Sequence, residues 1–125
     1  MLKGDGSGTS TGVDQCIEIA YTYSDTTKDS TTTLANGARV TRVENRVDVA
    51  FNSGSPTIAV AVNGGTPLTI MATTESDVKT AGQYENLAIT DVGSANAGAI
   101  RVTVTNDTAT AGIGKVFVFY NTPQA

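Results

Sequence analysis

The sequence predicts an all-β fold, an antiparallel β-sandwich of jelly-roll type. Three observations carry this expectation. Apolar residues recur with period two in short runs, the pattern of half-buried strands. Clusters of Gly, Asn, Asp, Ser and Pro separate these runs and read as turns. No stretch sustains a helical period, which argues against an α/β fold. Composition agrees: the 125 residues are rich in Gly and Thr, hydrophobic residues are 39%, aromatics 6%, and Trp is absent. Thr suits pleated, half-buried surfaces and Gly suits tight turns, so the core must come mainly from Val, Ile, Leu and Ala.

Residues 1–14 are Gly, Ser, Thr and Asp with few apolar groups. They read as a flexible N-terminal arm, able to order only on a partner, and residues 15–125 as one sandwich domain. In residues 15–23, Ile17, Ile19, Tyr21 and Tyr23 share one face. Residues 24–37 are polar apart from Leu34 and read as a long loop or a poorly paired edge, closed by the Asn36-Gly37 turn signal. Residues 38–51 form the longest strand, with Val43, Val47, Val49 and Phe51 on one parity. Val40 falls on the other parity, which predicts a bulge near Thr41 and Arg42. Asn52-Ser53-Gly54-Ser55 reads as the turn of a β-hairpin joining this strand to residues 57–62, where Ile58, Val60 and Val62 point inward.

Asn63-Gly64-Gly65 is a further turn, followed by a short strand over 66–72 with Leu68 and Ile70. Residues 73–82 carry one helical turn at most. Strands follow at 86–91 (Leu87, Ile89), 99–105 (Ile100, Val102, Val104) and 113–120. In the last of these both parities are apolar, which predicts burial on both faces, within the fold or against another subunit.

The net charge of −4 lacks the electropositive footprint of generic nucleic-acid binding. No run is long and apolar enough to span a bilayer, so no membrane partner is expected. The stretch Met1-Leu2-Lys3-Gly4-Asp5-Gly6 has no apolar core of the kind a signal peptide needs. Cys16 is the single cysteine, which precludes an intrachain disulfide and fits work or assembly in a reducing cytosol. His is absent, which removes Ser-His-Asp and Cys-His nucleophile activation and most zinc sites. The carboxylate pairs Glu75 with Asp77 and Asp25 with Asp29 lie in turn-rich segments and read as solvated loop charges. Gly112-Ile113-Gly114-Lys115 leads into a strand, whereas a phosphate loop leads into a helix. No enzyme, cofactor or metal site is expected. The Asn106-Asp107-Thr108 triplet carries meaning only on a secretory route.

The least bland cluster is basic. Arg39, Arg42 and Arg46 lie in one strand region, with Glu44 and Asp48 between them. Arg42 and Arg46 share parity with Glu44 and Asp48, giving a face that alternates in sign. Such a face suits cross-strand ion pairs or contact with a protein partner, where Arg is a favoured anchor.

Residues 34–62 contain Ala35-Asn36-Gly37-Ala38-Arg39-Val40, then Phe51-Asn52-Ser53-Gly54, then Thr57-Ile58-Ala59-Val60-Ala61-Val62. This succession, with the later Ala81-Gly82-Gln83-Tyr84 and the closing run Ala111-Gly112-Ile113-Gly114-Lys115-Val116-Phe117-Val118-Phe119-Tyr120, resembles the pattern of small virion proteins of tailed bacteriophages, of the capsid decoration or cement type. Asn45 and Arg46 depart from that pattern, which more usually has apolar or β-branched residues there. The resemblance covers most of residues 34–120. It implies a non-enzymatic subunit on the capsid surface, assembled in the host cytoplasm. Its partners would be the major capsid protein and further copies of itself in a homotrimer. A tail, baseplate or head-fibre component, or a cellular β-sandwich binding module, is the alternative.

Overall fold

A computed structural model describes residues 15–122 of the chain. Its strands are β1 (Gln15–Thr22), β2 (Thr27–Leu34), β3 (Arg39–Val49), β4 (Thr57–Asn63), β5 (Leu68–Met71), β6 (Gly82–Asn86), β7 (Thr90–Asp91), β8 (Gly98–Thr105) and β9 (Ile113–Asn121), with one 3-10 turn at Thr73–Glu75. They form two sheets. The first runs β1-β9-β3-β6, with β7 also against β3; the second runs β2-β8-β4-β5. Every pairing is antiparallel. The chain changes sheet between β1 and β2, β2 and β3, β3 and β4, β5 and β6, β7 and β8, and β8 and β9, and its first and last described strands are neighbours. With β6 and β7 sharing one position beside β3, this is the eight-strand order of a jelly roll. The expected N-terminal arm, residues 1–14, lies outside the described residues.

The core is the meeting of the two inner faces. From the first sheet come Ile17, Ile19, Tyr21, Val43, Val47, Val116 and Val118; from the second come Ile58, Val60, Val62, Ile100 and Val102, all buried. Each such Val or Ile contributes about 1.5–3 kcal/mol relative to exposure. The period-two reading of β1, β4 and β8 is therefore right: alternate residues point at the opposite sheet. The bulge near Thr41 is also present, as a register shift between Val40 and Arg42 against β9.

Three expectations need correction, and one open pair of readings is resolved. Residues 52–55 do not close a hairpin. β3 pairs with β6, β7 and β9, and β4 pairs with β5 and β8. The turn carries the chain from one sheet to the other and is tied to the neighbouring crossing: Ser53 Oγ donates to Thr108 O at 2.7 Å, and Ser55 N–H to Asp107 Oδ2 at 2.7 Å. Of the two readings of residues 24–37, the poorly paired edge holds: residues 27–34 form an edge strand whose register against β8 is broken between Asp29 and Thr33. Residues 86–91 are not one strand. β6 ends at Asn86, whose side chain donates to Ile70 O and accepts from Ala88 N–H, and Leu87 and Ile89 are exposed at 66% and 65%. A second register shift, between Val47 and Val49, turns Val49 outward.

One buried polar contact crosses the first sheet. Asn45 is fully buried on the inner face of β3. Its Oδ1 accepts from the Tyr21 hydroxyl at 2.6 Å, and its Nδ2 donates to Ser76 Oγ at 3.1 Å. Tyr21 lies over Gly114 of the intervening β9, where an added Cβ would overlap its hydroxyl. Burial holds the Tyr21 hydroxyl well above the usual phenol range, outweighing the Asn45 bond, which acts the other way. The phenol therefore stays neutral and donates.

Removing that donor strands a buried amide oxygen, at a cost of about 1–3 kcal/mol. Tyr21→Phe is expected to lower the unfolding free energy by that amount, read as a lower urea midpoint with unchanged slope. A raised folded pKa favours the neutral form, so this contribution is present below the unfolded tyrosine value, about 10, and declines as pH rises past it. The wild-type advantage over Tyr21→Phe should accordingly shrink between neutral and strongly alkaline pH. An advantage that is flat across that range would remove the hydroxyl from this account. Gly114→Ala overpacks the same spot and should cost about 1–3 kcal/mol, read from the same denaturation curves.

Candidate interaction surface

The three arginines meet on the outer face of the first sheet. Sequence parity separates Arg39 from Arg42 and Arg46; the bulge at Thr41 removes that separation. In register, Arg39 stands beside Asn121, Arg42 beside Phe119, Glu44 beside Phe117 and Arg46 beside Lys115, so all four β3 residues share a face with alternate residues of β9. β1 extends this face on the far side of β9, with Cys16 beside Phe119 and Glu18 beside Phe117.

The guanidiniums do not project freely. Arg42 lies over the Phe119 ring with Cζ 4.2 Å from its centroid, and Arg46 over Phe117 at 5.3 Å. A cation over a ring face is attracted by the ring's quadrupole, by about 0.5–1 kcal/mol at an exposed site. This explains the doubly apolar β9. Its inward residues enter the core, but Phe117 and Phe119 are only half-buried, covered by arginine stems and planes. Burial of β9 on both faces, as read from the sequence, is not found among the described residues.

Each basic group on this face also has an acid on its own chain. Arg39 Nε lies 2.8 Å from Asp91 Oδ1, Arg42 Nη2 2.9 Å from Glu44 Oε2, Arg46 Nε 3.1 Å from Asp48 Oδ1 and Lys115 Nζ 3.3 Å from Glu18 Oε2. Arg42 Nη1 also stands 4.0 Å from Glu85 of β6. Exposed pairs of this kind contribute about 0–1 kcal/mol each. Their effect here is orientation: they fix where each guanidinium plane lies. Arg42 Nε is buried against the sheet and has no hydrogen-bond partner among the described residues. The sequence signal for this surface was the basic triplet; the acids Asp91 and Glu85 and the two phenylalanines become part of it only through register.

The outer face of the second sheet is different. Thr57, Ala59 and Ala61 of β4 stand beside Thr105, Thr103 and Arg101 of β8, and Arg101 stands beside Asp29 of β2. The Arg101–Asp29 pair is bidentate, at 2.8 and 2.9 Å. Hydrogen bonding to Arg101 holds the Asp29 carboxyl below its ordinary range. This face is small-residued and nearly uncharged.

The acidic residues considered earlier are engaged in local structure. Asp25 Oδ2 accepts from Thr22 N–H at 2.8 Å. Glu75 Oε1 accepts from Ala72 N–H at 2.6 Å, and Asp77 accepts from Lys79 N–H and the Thr80 hydroxyl. No group of three or more His, Cys, Asp and Glu suited to a metal ion occurs among the described residues. Cys16 is exposed; partial burial, then the neighbouring Glu18, push its thiol above its ordinary value, away from the thiolate that a nucleophile requires.

Arg42→Ala uncovers Phe119 and is expected to cost about 0.5–1 kcal/mol in chemical denaturation. Arg42→Lys keeps the charge but not the planar stack, so it should restore little of that loss. The Phe119 ring resonances in NMR should shift in both variants. Full recovery of stability and ring shifts by lysine would mean that charge alone matters there.

Comparison with known proteins bears on the fold. The chain matches no protein-family model, and no curated protein matches its sequence. Chains of solved structures share its architecture, among them two from bacteriophage capsids. One is a chain of the acidic stable capsid structure of Helicobacter pylori bacteriophage KHP30, with a TM-score of 0.65 and 16% identity, covering 92% of each chain. The other is a chain of the capsid asymmetric unit of cyanophage Pam1, with a TM-score of 0.64 and 20% identity, covering 98% of this chain and 94% of that one. The two-sheet fold described above is thus also the fold of chains in two bacteriophage capsid assemblies.

Proposed function

We propose that this chain is a non-enzymatic structural protein of a tailed-bacteriophage virion, a capsid decoration or cement subunit that binds the assembled head shell. The observation that carries this reading is the likeness, over more than nine-tenths of both chains, to proteins found in two phage capsids. The charge balance, which offers no footprint for nucleic acid, and a surface organised as broad sheet faces agree with a role in protein contacts.

In this reading the partners are the major capsid protein and further copies of the chain, arranged as a homotrimer on the capsid surface. The Arg39, Arg42 and Arg46 face meets the shell. Ion pairs and ring stacking hold two of the guanidiniums in fixed planes, so less side-chain freedom is lost on docking than with mobile arginines. Each subunit needs only modest affinity. Binding to the assembled shell but not to its free subunits stabilises the shell by mass action, and linked copies multiply weak contacts through avidity.

The deciding measurement is copy number in purified virions of the source phage, by quantitative mass spectrometry against the major capsid protein. A ratio near one subunit per shell protein is expected. A ratio lower by one or two orders of magnitude would reassign the chain to a tail, neck or fibre, and absence from virions would overturn the structural role. A variant with Arg39, Arg42 and Arg46 all changed to Ala should bind shells roughly tenfold or more weakly while keeping its far-UV circular dichroism. Undiminished binding would move the contact to another face.

A further inference from the structure

Among the described residues, the sandwich is closed along one flank and open along the other. On the closed flank the 3-10 turn and the segment after it lie between the sheets: Val78 is buried and its carbonyl accepts from Phe51 N–H at 2.9 Å. On the open flank the edges of β1 and β2 face each other across a slot of about 400 Å3, lined by residues 16–20 of β1 and 28–32 of β2.

The hydrogen-bonding direction of β1 can be read from its ends. Tyr23 N–H bonds Gly112 O, on the β9 side. Thr22 does the opposite: its N–H donates to Asp25 Oδ2 and its carbonyl accepts from Asp25 N–H, both away from β9. β1 pairs with β9 without a register break, so backbone direction alternates along the whole strand. Cys16, Glu18 and Ala20 therefore point their N–H and C=O groups into the slot. No described residue bonds them. Across the slot, residues 30–32 of β2 have left the β8 ladder, and Ser30 Oγ takes the Ile100 N–H in its place at 2.9 Å.

An uncovered, regular edge is a template for a further strand, and folded proteins blunt such edges with charges, proline, bulges or short length. The other edges here are blunted: β2 is broken in register and carries Lys28, β5 has four residues, and β6 and β7 are split around Leu87 and Ile89. β1 has eight regular residues and no proline, and its one charged side chain, Glu18, turns outward to Lys115. It is built to be covered.

We propose that the slot takes residues 1–14 of a second copy, added as an extended strand on the free edge of β1. Length fits. The lining stretch of β1 needs a strand about 17 Å long, while 14 residues reach up to about 46 Å, leaving enough chain to cross between copies. Composition fits a narrow slot, since residues 6–13 are Gly, Ser, Thr and Val without charge or proline. For its own arm to pair along β1 from Gln15 onward, the chain must reverse tightly at Val13-Asp14. A two-residue hairpin turn there calls for Asn-Gly, Asp-Gly or a leading Gly, and Val13 is β-branched. The arm of each copy reaches the next, a head-to-tail exchange that forms a ring when the rotation between copies closes. This exchange does not depend on a virion role.

The test uses the full chain, a Δ1–14 deletion, a labelled peptide of residues 1–14, and Ala20→Pro. Proline is tolerated on an edge strand where its missing N–H faces outward, so Ala20→Pro should keep the fold, checked by circular dichroism and a cooperative melt, while blocking strand addition. The full chain is expected to be oligomeric by light scattering, and the deletion monomeric and folded. The peptide should bind the deletion saturably, and at least tenfold more weakly when Ala20→Pro is added. Tagged full chain should capture untagged full chain but not the deletion carrying Ala20→Pro. A monomeric full chain would overturn the exchange, and with peptide binding to the deletion it would give the slot to the chain's own arm. An oligomer that survives the deletion would overturn it in favour of direct pairing between copies. Peptide binding indifferent to Ala20→Pro, or no peptide binding at all, would also overturn it. None of these outcomes depends on whether the chain is found in virions.

Discussion

The contact on which most of this structure turns is the hydrogen bond between the Tyr21 hydroxyl and the buried Asn45 side chain, made across Gly114. It involves one residue from each of three adjacent strands, and each is there for a reason the others supply. A buried amide without a partner is costly, so Asn45 needs Tyr21. The phenol can reach it only where the strand between them carries no side chain. Slipping any of the three strands by one residue would exchange inner and outer faces. The same register that buries Asn45 therefore turns Phe117 and Phe119 outward and sets them under Arg46 and Arg42. The polar contact inside the sandwich and the arginine surface outside it are two sides of one alignment.

Much of the architecture was legible from period two alone. β1, β4 and β8 alternate cleanly because one face meets the core and the other meets water. β2 was harder to read because it is an edge whose described inward contribution is essentially Leu34, too little to mark a strand among threonines. Leu87 and Ile89 mislead in the other direction, as alternating aliphatics that the Asn86 side chain diverts into an exposed loop. The turn at residues 52–55 was correctly seen as a reversal, but turn chemistry is local and does not say which sheet the chain rejoins. That depends on the partner loop at residues 106–110.

The surface was legible in part. Three arginines close together in a strand mark out one face, and the change of parity at Val40 announced the bulge that brings Arg39 into line with the others. What supports them could not be read from spacing. Asp91, Glu85 and the rings of Phe117 and Phe119 come from strands far away in sequence, and only register brings them together. Asn45 and Arg46, which look out of place in a β-branched strand, are explained together: one faces inward to a hydroxyl, the other outward to a ring.

The pairing of the first strand with the last also has a kinetic side. The Tyr120 hydroxyl reaches the Gln15 side chain across 105 residues of sequence, and β1 has no strand neighbour other than β9 among the described residues. Folds dominated by such distant pairings close late and slowly, on millisecond to second scales, because the loop entropy is lost before the contacts form. Of the described strands, β1 leaves the ribosome first and is paired last. Throughout that interval Ile17, Ile19 and both edges of β1 stay uncovered, and a nascent neighbour can meet them before β9 exists. The order in which the chain is made thus gives a second copy earlier access to β1 than its own final strand has.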